Sequence, residues 1–310
     1  MRAAGIASFG GSVELMDIAD PRPPAADEVV LEVRAAGVGN WDEVVRNGDW
    51  DVGHAPPLVL GVEAAGVVLS RGSDVSYPHV GDAVLTHPLP LSDQGCWAER
   101  LLVKASLLAP KPTSMDWAEA AVFPVPGLTA YEVLVEALTL QAGEWLFVHG
   151  AGGATGSTLL HTGLALGARV IASAGASIQQ VRAVTGVHVV DYRDPSWQAQ
   201  VVALAGGRGV GAAVNAARDQ AAAAIDVVAP GGRFATITGD PPPTQRGIDV
   251  ANFYVRADGA QLGRLAALLQ DRTPVRIGAI YALHDAAMAL SAAVDGRGGG
   301  AIVLDPTLTR

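Results

Sequence analysis

The chain has 310 residues, half of them apolar and 17% charged, which is long enough for two domains with separate cores. Its net charge of -10, without any cluster of basic side chains, argues against a nucleic-acid partner. No apolar run reaches the ~18 residues of a membrane-spanning helix, and the amino terminus lacks an export-signal pattern. A lone cysteine, Cys96, excludes an intrachain disulfide and a thiolate zinc cluster. We therefore expect a cytoplasmic protein that binds no membrane.

Up to about residue 115, short apolar runs alternate with Gly, Pro and Asp, as in "EVVLEVRAAGV" and "VGDAVLTH". Closely spaced strand patterns of this kind predict a compact, mostly antiparallel β domain over residues 1–115.

From residue 116 the pattern changes to alternating strands and helices, beginning with a helical stretch and continuing as "EWLFVHG", "TGSTLLHTGLALG" and "RVIAS". Such alternation predicts a doubly wound parallel sheet covered by helices over residues 116–247. The loop "DPPPTQRG" interrupts the alternation, and we expect residues 248–310 to complete the first domain. The predicted fold class is α/β.

A glycine-rich turn follows the predicted strand 145–149 and precedes a helix. Small side chains let the backbone approach a pyrophosphate and direct helix N-terminal N–H groups at it, so the turn predicts a dinucleotide site. The alternative is a tight turn without a ligand, since the spacing is not G-x-G-x-x-G. No Lys-Ser/Thr pair follows the glycines, which excludes a P-loop. The candidate cofactor-binding residues are Gly150, Ala151, Gly152, Gly153, Ala154, Thr155 and Gly156.

A series of further segments extends over nearly the whole chain: "AAGVGNWDEVVRNG", "PLVLGVEAAGVV", "GCWAERLLV", "AAVFPVPGLTAYEVL", "VHGAGGATG", "VVDYRD", "APGGRFATITG" and "GRGGGAIVL". In this order they resemble the medium-chain dehydrogenase/reductase superfamily, in particular its zinc-free quinone oxidoreductase (zeta-crystallin-like) branch. The resemblance implies a GroES-like domain, a Rossmann domain, and a cleft between them for nicotinamide and substrate.

The same resemblance addresses zinc. Zinc alcohol dehydrogenases carry Cys and His where this chain has Gly39 and Val62, and neither replacement binds a metal. Glu63 could still bind a metal, but one carboxylate does not make a site. Its alternative role is to cap backbone N–H groups or to pair with an arginine. Without a Lewis acid, alcohol oxidation loses its mechanism, whereas reduction of a quinone or enone needs no metal.

Cofactor choice is predicted from the second strand of the alternating region. An NAD enzyme usually has an Asp or Glu at the end of this strand, which binds the ribose 2′-hydroxyl. Here we place Ser173 at the end of the strand, which favours NADPH. The resemblance puts Tyr192 against the 2′-phosphate with Arg193 nearby, and Thr238 also belongs to the expected cofactor site. Gln179 stands where the family often has Lys. Alternatively, Tyr192 is a half-buried residue at a strand end.

Candidate catalytic residues also come from the resemblance. It puts Thr129 at the nicotinamide, although a helix cap is an alternative role for this residue. Asn40 stands one residue after the position of the family's asparagine, and Trp50 replaces a tyrosine of related enoyl reductases. Trp50 can stack on a flat ring but supplies no useful proton. We expect Asp42 to cap a helix as an ionised carboxylate.

The sequence thus predicts an NADPH-dependent, zinc-independent reductase of a small-molecule quinone or α,β-unsaturated carbonyl. An enoyl reductase or reductive cyclase of a biosynthetic pathway is a second hypothesis, and a non-catalytic NADPH-binding sensor is a third. Family members often join Rossmann sheets edge to edge, so "IDVANFYVRA" predicts an edge strand and a homodimer.

Overall fold

The computed structural model describes residues 1–269, 272, 274–296 and 299–308. Arg297 and Gly298 of the segment "GRGGGAIVL" lie outside the described residues. The strands are β1 (Arg2–Ile6), β2 (Glu14–Asp17), β3 (Glu28–Val38), β4 (Leu58–Val59), β5 (Ala64–Arg71), β6 (Ala83–Thr86), β7 (Arg100–Lys104), β8 (Leu108–Pro110), β9 (Trp145–His149), β10 (Arg169–Ala174), β11 (Val187–Asp191), β12 (Val210–Asn215), β13 (Val228–Thr236), β14 (Asp249–Asn252), β15 (Ile277–Ala282) and β16 (Ala301–Asp305).

The α-helices are α1 (Asn40–Asn47), α2 (Trp117–Ala121), α3 (Pro124–Glu132), α4 (Ala154–Ala165), α5 (Ile178–Arg182), α6 (Trp197–Leu204), α7 (Ala221–Ala224), α8 (Gly259–Leu268) and α9 (Ala286–Asp295). A π-helix, Val133–Ala137, continues α3, and short 3-10 helices occur at Ala105–Leu107, Ile225–Val227 and Leu283–Asp285.

The first compact unit comprises Met1–Val125 together with Arg256–Arg310. In its described part, β2, β1 and β4 form one small antiparallel sheet, and a larger sheet has the order β15-β16-β3-β5-β6-β8. The long strand β3 pairs with β5 along one edge and with β7 and β16 along the other. Among the described strands of this sheet, only β15 and β16 run parallel to each other, so the unit is mostly antiparallel, as predicted.

The second unit, Pro126–Val255, contains a parallel sheet with the order β11-β10-β9-β12-β13-β14. Successive side chains of β9 face opposite sides of this sheet. Leu146 and Val148 belong to one buried cluster and Phe147 to the other, so helices cover both faces. The predicted α/β fold class, a mostly antiparallel domain plus a doubly wound parallel sheet, is confirmed.

The transitions between the units come later in the chain than the sequence pattern suggested. The units change over after Val125 and after Val255, compared with the predicted transitions at 115/116 and 247/248. The C-terminal β16 pairs antiparallel with β3 of the first unit. The functional domain boundaries stay a prediction.

Candidate cofactor and active site

The glycine-rich turn between β9 and α4 has the geometry its composition suggests. Gly150 has φ +82°, a left-handed conformation that favours glycine. A Cβ atom at Gly156 would lie 2.1 Å from the carbonyl oxygen of Gly150, so the first turn of α4 packs directly on the loop. A Cβ atom at Gly152 would lie 1.7 Å from the Oγ atom of Ser177. Glycine at 150, 152 and 156 thus lets the loop, Ser177 and the first turn of α4 approach one another closely, and we call these three glycines the cradle.

The start of α4 offers backbone donors to a ligand. Gly153 is the N-cap residue, with extended backbone angles and no side chain that caps the helix. The first N–H groups of an α-helix have no intrahelical acceptor, and the helix dipole favours negative charge there. The cradle and these donors fit the pyrophosphate of a dinucleotide.

Ser173 does not stand where the sequence interpretation placed it. The strand β10 ends one residue later, at Ala174, and the side chain of Ser173 is fully buried. Its Oγ atom lies 2.6 Å from Nδ1 of His149 and accepts a hydrogen bond of 3.2 Å from the N–H of Gly150. The hydroxyl of Ser173 therefore bonds with His149 and with the first residue of the glycine turn, and its role in cofactor binding stays a prediction.

His149 is a packing residue at the end of β9. Its ring stacks on Trp197 with centroids 5.0 Å apart and an interplanar angle of 18°. Burial lowers the pKa of His149 to about 4, so the ring is neutral at physiological pH. This neutral ring and the hydroxyl of Ser173 fix the entry to the turn.

The predicted phosphate-recognition residues lie after β10 and β11. Tyr192 is 45% exposed, and a Cβ atom at Gly175 would lie 2.6 Å from its ring. Arg193 forms an exposed ion pair with Asp191 at 2.6 Å, and its hydrogen bonds hold the pKa of Asp191 at about 2. Arg193 is therefore already paired with a carboxylate. The sequence interpretation missed Ser177, which contacts the cradle because α5 begins directly beside Gly152.

Polar side chains gather where β12 and β13 end. Asn215 donates hydrogen bonds from Nδ2 to the hydroxyls of Thr236 and Thr238, at 3.2 and 3.0 Å. Both hydroxyls donate to Oδ1 of Asp240. Asn215 and Thr236 are buried, whereas Thr238 is partly exposed. Thr238, a predicted cofactor residue, thus belongs to a wider polar network that the sequence did not reveal.

In the first unit, a single residue connects β3 to α1. A Cβ atom at Gly39 would lie 2.1 Å from the indole ring of Trp41, so the ring occupies the space beside this backbone position. The N–H of Gly39 donates a hydrogen bond of 2.8 Å to Oδ2 of Asp42. Asp42 caps the helix as expected, but from within its first turn.

Burial makes Asp42 harder to ionise than the sequence suggested. Its side chain is fully buried, and burial raises the pKa of Asp42 to about 7, against which the hydrogen bond from Gly39 acts only in part. Burial also raises the pKa of Glu63 well above its usual range, with a smaller contribution from Asp42. Oε2 of Glu63 accepts a hydrogen bond of 2.9 Å from the N–H of Val125, in the first turn of α3. The backbone-capping alternative for Glu63 is thus confirmed.

The predicted catalytic residues have different surroundings. Asn40 is the first residue of α1 and is partly exposed, and Trp50 lies with its ring centroid 6.2 Å from that of His87. Thr129 is buried within α3, well past the start of the helix at Pro124, so the helix-cap alternative is wrong. Asn40 and Trp50 belong to the first unit and Thr129 to the second, and their catalytic roles stay a prediction.

Within the described residues, no group of three or more His, Cys, Asp or Glu side chains could hold a metal ion. Over the same part of the chain, no helix is both long and apolar enough to cross a membrane.

Comparison with known proteins gives two family matches. Residues 25–113 match the alcohol dehydrogenase GroES-like domain, and residues 186–304 match the zinc-binding dehydrogenase family. Human quinone oxidoreductase is 29% identical over 215 residues, which cover 68% of this chain and 64% of that protein. The chain spans 37% to 64% of the length of the first curated relatives that it matches.

Solved structures resemble nearly the whole chain. An NAD-dependent alcohol dehydrogenase superposes with a TM-score of 0.88 and 26% identity, over 98% of this chain and 99% of that one. Escherichia coli quinone oxidoreductase complexed with NADPH superposes with a TM-score of 0.84 and 22% identity, over 99% and 100% of the two chains. The second likeness supports the fold alone.

Proposed function

Because this chain belongs to the medium-chain dehydrogenase/reductase superfamily, in its quinone oxidoreductase branch, we propose that it reduces a quinone or an α,β-unsaturated carbonyl compound with NADPH. The observation that carries the proposal is the cradle at Gly150, Gly152 and Gly156 at the end of β9. The central position of β9 in the parallel sheet supports the proposal, because such sheets bind dinucleotides at the carboxyl ends of their central strands.

Preference for NADPH is supported by the residues after β10. No carboxylate stands at the end of this strand to bind a ribose 2′-hydroxyl, and both Tyr192 and Ser177 lie beside small residues of the loop region. Titration of the protein with NADPH and NADH by fluorescence tests this preference. We expect tighter binding of NADPH, and equal affinity or a preference for NADH would contradict it.

A zinc-independent reaction is supported by the residues around Gly39. Zinc ligation needs sulfur, nitrogen or carboxylate donors, and the two positions compared with zinc enzymes are Gly39 and Val62. The Trp41 ring fills the space that a side chain at Gly39 would need. Elemental analysis of the purified protein tests this, and one zinc per chain would contradict the proposal.

In the proposed reaction, the bound nicotinamide supplies a hydride to the conjugated substrate. The hydroxyl of Thr129 stabilises the oxygen on which negative charge then develops. Asp42 is buried and bonded to the N–H of Gly39, so water delivers the proton. Trp50 has only an indole N–H and contributes a flat stacking surface.

The test of activity is to mix the protein with NADPH and a panel of quinones, enones and enoyl thioesters, and to follow the loss of reduced-cofactor absorbance. Reaction restricted to enoyl thioesters would favour the enoyl reductase hypothesis. Binding of NADPH with no turnover of any panel member would favour a sensor. Thr129→Val is expected to lower the rate roughly 10-fold, since one transition-state hydrogen bond contributes ~1 to 3 kcal/mol.

We also propose a homodimer joined through β14. This strand is the last in the parallel sheet among the described residues, and Tyr254 just beyond it is 72% exposed. An open strand edge favours pairing with a second copy. Light scattering at working concentration measures the mass, and a monomer would contradict this proposal.

A further inference from the structure

The polar network at the ends of β12 and β13 has a fixed direction. We call it the threonine relay, and it consists of Asn215, Thr236, Thr238 and Asp240. The N–H of Ala217 donates to Oδ1 of Asn215 at 3.2 Å, so Nδ2 is the end of the amide that faces the two hydroxyls, and its two hydrogens are shared among them and the carbonyl oxygen of Ala217 at 3.0 Å. A backbone N–H can only donate, so this end of the relay sets the orientation of the amide.

Asp240 sets the direction at the other end of the relay. Partial burial acts to raise the pKa of Asp240, but hydrogen bonds from Thr238, from Thr236 and from the backbone N–H groups of Ala221 and Asp240 together hold the pKa below its usual range. An ionised carboxylate only accepts hydrogen bonds. Each hydroxyl has one hydrogen and donates it to Oδ1 of Asp240, although the two hydroxyl oxygens also lie 2.9 Å apart.

Thr238 is therefore restricted in what it offers to a ligand. Its oxygen faces Nδ2 of Asn215, a group that can only donate, and its own hydrogen goes to Asp240. Because Thr238 is partly exposed, a ligand can still reach its oxygen, but finds there an acceptor and not a donor. A ligand group that meets Thr238 must carry a hydrogen.

The relay lies on one side of the cradle. The N–H of Ala216, directly after β12, donates to the carbonyl oxygen of His149 at 2.9 Å, so the relay and the glycine turn share one edge of the sheet. The strand order puts β12 and β13 on the opposite side of β9 from β10 and β11. A dinucleotide on such an edge places one half on each side of the central turn. With the adenosine half after β10, the nicotinamide half lies after β12 and β13.

We propose that Thr238 accepts a hydrogen bond from the carboxamide NH₂ of the nicotinamide, and that Asp240 is the specificity-determining residue that makes Thr238 an acceptor. The inference rests on the proposed binding of NADPH. An acceptor at Thr238 selects pyridine dinucleotides whose ring substituent donates a hydrogen bond. Because the hydrogen of Thr238 goes to Asp240, Thr238 does not donate to the substrate oxygen.

The test compares the binding of two ligands to the full chain. Reduced 3-acetylpyridine adenine dinucleotide phosphate keeps the carbonyl group of NADPH but has a methyl group in place of NH₂. We expect the wild type to bind NADPH about tenfold more tightly than this analogue, because the acceptor at Thr238 is left without a partner. Thr238→Val should bind both with affinities within about threefold, because it removes the acceptor.

Asp240→Asn tests the direction of the relay. An asparagine can donate to a threonine hydroxyl, which frees the hydrogen of Thr238 to turn outward, so the ratio of the two affinities should fall toward that of Thr238→Val. Thr238→Ser keeps a hydroxyl and should keep the wild-type ratio. The exposed residues Thr244 and Asp249 provide matched controls, since Thr244→Val and Asp249→Asn make the same chemical changes outside the relay.

The outcomes separate the two proposals. If the wild type binds neither ligand, the proposed function fails and the inference fails with it. If NADPH binds but the wild type does not discriminate against the analogue, only the inference is overturned. Discrimination that persists in folded Thr238→Val also overturns it.

Discussion

The two units each contain a strand that turns into a helix at a glycine N-cap, and the two connections differ in what they leave open. Between β3 and α1, Gly39 is covered by the Trp41 ring, and its N–H is satisfied by the buried Asp42. Between β9 and α4, the loop 150–153 is longer and no side chain caps the helix.

This difference shows that glycine serves opposite purposes at the two sites. At Gly39, glycine makes room for a neighbouring side chain of the same protein, and the helix start is closed. At Gly153, glycine leaves the backbone open, and donors at the helix start are available for a ligand. A glycine before a helix thus identifies a ligand site only when the surrounding side chains leave the space empty.

The largest expected effect concerns Asp42, at the connection between β3 and α1. Because the folded-state pKa of Asp42, about 7, lies above the ordinary value of 3.8, the folded protein holds a proton that the unfolded chain has lost between these values. The free energy of unfolding should therefore fall as pH rises from about 4 to about 7, by up to ~4 kcal/mol. Urea unfolding at several pH values measures this slope.

Asp42→Asn is uncharged at every pH, so we expect its unfolding free energy to vary less over this window. Glu63 titrates in the same direction, which makes Glu63→Gln a second, independent variant. The exposed Asp49 provides the control, since Asp49→Asn should keep the wild-type slope. A wild-type slope in Asp42→Asn would show that its carboxyl group is ionised when folded.

The next effect concerns the glycine-rich connection between β9 and α4. Gly156→Ala should weaken NADPH binding by about 100-fold, ~2.7 kcal/mol, because the new Cβ must displace the Gly150 carbonyl and distort the cradle. Gly153→Ala is the matched control, since its Cβ meets only the Gly150 oxygen at 3.9 Å. Fluorescence titration and thermal melting of both variants measure binding and folding separately. Equal binding by both variants would mean that the cradle is not the site.

A substitution at the two N-caps compares the connections directly. Gly39→Ala should destabilise the fold by about 2 kcal/mol more than Gly153→Ala, because its Cβ collides with the Trp41 ring. In the double variant Gly39→Ala/Trp41→Ala the collision is removed, so the extra cost of the alanine at 39 should disappear. Urea unfolding of the wild type, Gly39→Ala, Trp41→Ala and the double variant gives the coupling energy, and simple additivity would refute the steric explanation.

The smallest effect concerns the paired arginine near the cradle. Asp191→Asn should free Arg193 and raise NADPH affinity about two- to threefold at physiological salt, since exposed ion pairs are weak. NADH affinity should not change, because NADH lacks the 2′-phosphate. Titration of both cofactors against wild type and variant decides this, and an equal change for both would argue against recognition of the phosphate by Arg193.

Much of the fold was predictable because its signals are local. The segment "EVVLEVRAAGV" is β3 over its full length, and β9 and its glycine turn lie where period and composition placed them. The candidate site was predictable to the extent that it is built from consecutive residues, as at 150–156. Its supporting partners were not, because Ser177 and Ser173 reach the turn from other parts of the chain.

The sequence by itself determined the fold class, the position of the glycine turn and the family, since apolar periodicity, glycine spacing and ordered motifs are all properties of the linear chain. Only the tertiary structure decided the state of Asp42, the pairing of Arg193 and the direction of the threonine relay. The physical reason is that pKa values, ion pairs and hydrogen-bond polarity depend on burial and on neighbours that are distant in sequence.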